Sequence, residues 1–117
     1  MSTLQEHLTN GIAHKNAGEY EQAVESLEAV LAEDPGCARA HHELGLVMGF
    51  IGEFERAVEE LRQAVDLDPE GVQATLDLGL TYAMVGMSDE AKEAFEAVLR
   101  LDPGNKAAQK NLFYLQS

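Results

Sequence analysis

Three Asp-Pro pairs, Asp34-Pro35, Asp68-Pro69 and Asp102-Pro103, recur along this chain at a step of 34 residues. The same step links Gly11, Gly45 and Gly79, then Gly18, Gly52 and Gly86, then Ala23, Ala57 and Ala91, with Leu27, Leu61 and Phe95 in register. Five series sharing one period make the chain a repeat array. Each unit of such an array is too small to bury its own apolar face and must stack on its neighbours.

Within a unit the apolar residues return every three or four positions, the period of a helix. The second unit shows this best: Leu44, Val47, Met48 and Ile51 in a first helix over 38–51, then Val58, Leu61, Ala64 and Val65 in a second over 54–67. Gly18, Gly52 and Gly86 are suited to the left-handed conformation that ends a first helix (helix A). The Asp before each Pro marks the end of the second (helix B), because proline disfavours the α conformation in the residue before it. Connections of two or three residues then force each pair antiparallel. Helices A and B approach closely where Gly45 and Gly79 are expected to lie opposite Ala57 and Ala91, with Leu61 and Phe95 filling the next layer.

Leu78-Gly79, Tyr82, Ala91, Phe95 and Pro103 in the third unit, and Leu44-Gly45, Ala57, Leu61, Ala64 and Pro69 in the second, resemble the tetratricopeptide repeat (TPR) pattern. The first unit departs from it: Asn10 stands for the Leu, His14 for the Tyr, and Glu33 for the leucine found at 67 and 101. The resemblance implies an all-α fold, a right-handed α-solenoid of antiparallel helix pairs with seven helices. One domain over 1–117 is expected, with repeats at about 4–37, 38–71 and 72–105 and a capping helix over 106–117. In that last helix Phe113 takes the place held by Gly in the complete units, and it is expected to cover the open end of the stack with Leu112 and Leu115.

The resemblance also implies a concave face lined by the A helices, used for binding peptides. Its groove positions fall here on Leu8, Thr9, Ile12 and Lys15, on Arg39, His42, Glu43, Leu46 and Phe50, and on Gln73, Leu76, Asp77, Leu80 and Met84. Lys110 and Tyr114 follow in the cap. Ile12, Leu46, Leu80 and Tyr114 are equivalent positions and make an apolar stripe, with Phe50 and Met84 beside it. A stripe of that kind, rimmed by polar residues, points to an amphipathic helix or an apolar peptide as guest. Arg39, His42 and Lys110 would supply polar selectivity. Relatives that hold the acidic tails of heat-shock chaperones use Lys, Asn, Asn, Lys and Arg where this chain has Leu8, Ile12, Glu43, Gln73 and Asp77. None of the five is kept and two are acidic, so a tail carboxylate is expected to be repelled.

Charge narrows the partners further. Eight Lys and Arg against 21 Asp and Glu give a formal net charge of -13, which disfavours nucleic acid and anionic membranes and leaves apolar or basic protein segments. The acids gather on the B helices, read as a solvated convex face. A homo-oligomer built through the divergent first repeat or the cap is the alternative to a peptide-binding scaffold. Cys37 is the single cysteine, no apolar run is long enough to span a bilayer, and the first residues lack a signal-peptide pattern. A cytoplasmic protein is expected on these grounds.

Catalysis and metal binding find little support. His7 and His14 are about 10 Å apart along a helix axis, and the adjacent His41 and His42 point in different directions. No zinc-type cysteine spacing or phosphate-binding glycine loop occurs, so neither cofactor nor metal is expected. Cys37 and His41 are the least implausible nucleophile and base.

Overall fold

In the computed structural model, which describes residues 3–116, the chain forms seven helices and no strand among those residues. Met1, Ser2 and Ser117, inside the expected domain bounds, lie outside the described residues. The A helices are α1 (Leu4–Asn16), α3 (Ala38–Phe50), α5 (Val72–Met84) and α7 (Lys106–Gln116). The B helices are α2 (Tyr20–Glu33), α4 (Phe54–Leu67) and α6 (Ser88–Leu101).

Each A helix except α7 ends in the same device. Gly52 takes φ +84, its N–H meets the carbonyl of Gly49, and the next N–H, of Glu53, reaches back to Met48 at 2.8 Å. That bond pair is a Schellman stop. Gly18 and Gly86 repeat it, with Glu19 bonded to His14 and Met87 to Tyr82. The stop leaves Ile51 as the C-cap, so the second unit's A helix is one residue shorter than its periodicity predicts. The B helices end at Asp34, Asp68 and Asp102, whose backbones leave the helical region ahead of proline. The carbonyls of the three aspartates accept from Cys37, Gly71 and Asn105, closing the turn into the next A helix.

Packing follows the small residues. A Cβ built on Gly45 would lie 2.7 Å from Cγ of Leu61, and one on Gly79 would lie 2.8 Å from Cε1 of Phe95. The residues that take up the glycine gaps are therefore chiefly Leu61 and Phe95, not Ala57 and Ala91. At Gly45 the carbonyl of Ala57 comes next at 3.3 Å, and at Gly79 the methyl of Ala94 at 3.2 Å. Leu27, Leu61 and Phe95 are fully buried and each contributes about 1.5–3 kcal/mol through the apolar surface it removes from water.

The core runs through two clusters, one around Leu27, Leu44 and Ala57, the other around Leu61, Tyr82, Phe95 and Val98, meeting along α4. At the C-terminal end Ala108, Leu112 and Leu115 join the second cluster. Phe113 does not cover the end of the stack: it is 67% exposed, with its ring edge-on to Tyr114. The glycine position faces helix B, so without a following B helix among the described residues the ring there reaches solvent.

Candidate functional site: the face of the A helices

Successive A helices touch: α1 packs on α3, α3 on α5 and α5 on α7. The backbones of successive described B helices stay apart, and α2 and α4 meet through the side-chain pair of Glu28 and Arg56. The stack therefore curves with its A helices on the inside. That face is polar at its base and apolar along its middle.

The polar part is a pair of equivalent clusters. Glu43 is only 4% exposed and holds two cations, Lys15 of α1 and Arg39 one turn before it, with Arg39 Nε donating at 3.0 Å. One repeat later Asp77 takes Nε2 of His42 from α3 at 2.7 Å and the amide of Gln73, one turn before it, at 3.0 Å. Both carboxylates thus join neighbouring A helices and are satisfied within the protein. Charges buried in this way need such partners, since an isolated one would cost several kcal/mol. A hollow of about 320 Å³ opens beside this second cluster, lined in part by Arg39, His42 and Gln73.

The apolar positions divide by exposure. Leu80, Met84 and Tyr114 are exposed, Met84 most at 65%, and Leu46, Ile12 and Leu8 are half-buried. Leu8 packs against the first core cluster. Leu76 is 7% exposed and belongs to the second cluster, so it offers no surface to a guest. Phe50 is exposed but leans on the Tyr20 ring at 5.5 Å, which puts it at the rim where α3 meets the first B helix. Thr9, Arg39, Gln73 and Lys110 are exposed.

The part that sequence reasoning missed is the pairing of Lys15 with Glu43 and of His42 with Asp77. A signal was present: Arg39 and Gln73, like Glu43 and Asp77, stand one 34-residue step apart, each donor four residues before its acid.

No group of three or more His, Cys, Asp and Glu is placed to hold a metal among the described residues. His41 does not serve Cys37: its Nδ1 meets Glu60 at 2.7 Å and its Nε2 the Pro35 carbonyl at 2.9 Å. Among the described residues no helix is long and apolar enough to cross a membrane.

Known proteins echo this architecture. A crystal structure of MamA superposes with a TM-score of 0.93 at 28% identity, covering 97% of this chain and 66% of that one. The chain thus spans about two-thirds of that protein. The second TPR domain of human RPAP3, solved in complex with the HSP70 peptide SGPTIEEVD, gives 0.87 at 28% identity, with 98% and 99% covered. The first TPR domain of Spaghetti (RPAP3), bound to the HSP90 peptide SRMEEVD, gives 0.91 at 21% identity, with 97% and 90% covered, a likeness of fold alone. No curated protein sequence matches the chain. The tetratricopeptide repeat profile, however, matches residues 8–47 and again 50–106. With most of its length matched and seven helices paired as the pattern requires, the chain belongs to the tetratricopeptide repeat family.

Proposed function

We propose that the chain is a noncovalent interaction scaffold holding an apolar peptide or helix segment against its A helices. One observation carries this reading. Ile12, Leu46, Leu80 and Tyr114, equivalent in register, stay half-buried or exposed along the inner face, while that face's two carboxylates are already bonded to Lys15, Arg39, His42 and Gln73. The inner face is thus free of unmatched negative charge at these two carboxylates, and the positions along its stripe are apolar. Met84 widens the stripe, and Arg39 and Lys110 remain exposed for polar contacts at its margins. His42 contributes through its hold on Asp77. RPAP3 domains of the same fold are solved with bound peptides, which supports peptide binding as the activity. The single cysteine fits work in the reducing cytoplasm.

Selection of phage-displayed peptides on the wild-type protein tests the reading. The enriched peptides should be apolar, and Leu46→Glu with Leu80→Glu should abolish their binding while leaving the helical circular dichroism intact. Equal binding by both folded proteins would refute the groove, and loss of helicity would make those residues core. The SGPTIEEVD peptide should give no NMR shifts on the A helices, because Leu8, Ile12, Glu43, Gln73 and Asp77 offer no free cation to its carboxylates. Self-association is the second reading, favoured by the exposure of Phe113 and Tyr114 on α7. A mass that rises with concentration in sedimentation, and falls back with Tyr114→Glu, would select it.

A further inference from the structure

A second apolar surface lies outside the inner face, along the edge formed by the turns from A to B helices. Tyr20, Val24 and Ile51 line a hollow of about 440 Å³ there. One repeat later Phe54, Val58 and Val85 line another of about 360 Å³. The two sets correspond residue for residue at the 34-residue step, so the hollows repeat along the edge. Ile51 and Val85 are exposed C-caps of α3 and α5, and the fold does not demand bulk there, since Ala17 holds the same place after α1.

The rim of both hollows is acidic. Glu21 and Glu53 border the first and Glu55 the second, and none of the three has an ion-pair partner among the described residues. Arg56, the one base lining either hollow, is taken up by Glu28 at 3.1 Å and lies 3.9 Å from Glu60. Apolar hollows inside an unmatched negative rim complement an apolar segment that carries positive charge. A second copy would bring the same rim and a net charge of -13 against its own kind.

We propose that this edge docks a basic amphipathic segment, which seats one apolar side chain in each hollow and sets Lys or Arg against Glu21, Glu53 and Glu55. The site is independent of the inner face and stands whether or not that face binds a peptide.

The probe is a fluorescein-labelled Leu/Lys amphipathic helix about five turns long, with its Leu/Glu counterpart as control. Binding is read by anisotropy and by the ¹³C-methyl NMR shifts of the unlabelled protein. The Leu/Lys peptide should move the methyls of Ile51 and Val85. Ile51→Ser with Val85→Ser, which leaves every charge in place, should weaken binding roughly tenfold or more. Leu46→Glu with Leu80→Glu should not lose that affinity. Unchanged affinity in the serine variant would show attraction to the acidic surface at large and overturn the proposal. So would shifts confined to the methyls of Leu46 and Leu80, or equal binding of the Leu/Glu peptide. A dimer of the free protein that the serine variant abolishes would assign the edge to a second copy, and would equally overturn it.

Discussion

Gly45 and Gly49 lie one turn apart on α3, and the structure gives the same substitution opposite signs at the two sites. Alanine in place of helical glycine ordinarily gains about 0.5–1 kcal/mol, because glycine loses more backbone freedom on folding. At Gly49 a new Cβ meets nothing within 4 Å, so Gly49→Ala should keep that gain. At Gly45 the Cβ would stand 2.7 Å from Cγ and 3.1 Å from Cδ2 of Leu61, and 3.3 Å from the carbonyl of Ala57. Leu61 is 1% exposed, and the clash falls on its branch carbon rather than on the tip of a flexible chain, so the helices must give way. Overpacking of this kind costs about 1–3 kcal/mol, which exceeds the propensity gain through most of its range. The net expectation is a loss of about 1–2 kcal/mol for Gly45→Ala. In thermal unfolding followed at 222 nm, that is a fall in Tm of roughly 4–8 °C, against a rise of a few degrees for Gly49→Ala. Equal stabilisation by both alanines would refute the close approach of α3 to α4, and with it the packing account of the glycine series.

Two further outcomes follow from the polar and titratable groups. Glu43→Gln leaves Lys15 largely buried without its counter-charge and should lower stability in urea unfolding by about 1–3 kcal/mol, most of it recovered by Lys15→Met with Glu43→Leu; no change in Glu43→Gln would show that the pair contributes nothing. Burial pushes the Tyr82 phenol above its ordinary value, with Glu90, Asp66 and Glu93 adding to the shift and Arg62 opposing it. The folded state therefore holds that proton more tightly than the unfolded chain. Stability should fall as pH rises past about 10, and Tyr82→Phe should flatten that fall; an identical alkaline limb in the variant would contradict it.

The helix pairs were legible in the sequence because their punctuation has only a few physical solutions. A residue at φ +84 is best served by glycine, and an Asp-Pro step cannot continue a helix. Axial offset was harder to read. Side chains on a helix lean toward its N-terminus, so the glycine gap on α3 is filled by Leu61 rather than by Ala57, the alanine paired with it by register. Glu33 looked like a defect in the first repeat, yet its counterparts Leu67 and Leu101 are exposed, so the position makes no apolar demand. Leu76 was placed on the inner face by register alone. The same register position in the previous repeat, His42, reaches Asp77, but the residue equivalent to Asp77 in α7 is Asn111, whose amide turns back to the Ala107 carbonyl. With no carboxylate to meet at that junction, an apolar side chain closes it.

The distribution of charge ties the two proposed surfaces together. The A helices carry Lys15, Arg39, Lys106 and Lys110 against Glu6, Glu43 and Asp77, while all the others of the 21 acidic residues lie on the B helices and the turns. Part of that bias is local, since Glu21, Glu55, Asp89 and Glu90 sit in the first turns of B helices, where the helix dipole favours negative charge. Because every B helix starts at the same edge of the solenoid, this local preference adds up to an acidic border. The A helices start at the other edge, and those in the complete repeats place an acid in their first turn only at Glu6. Antiparallel pairing thus separates a strongly negative edge from a nearly neutral inner face. A basic segment is drawn to the first and gains no charge attraction from the second, whereas an uncharged apolar segment loses little on the inner face. On the two proposed readings, one repeat register would let a short chain discriminate two kinds of partner by charge before any side chain is seated.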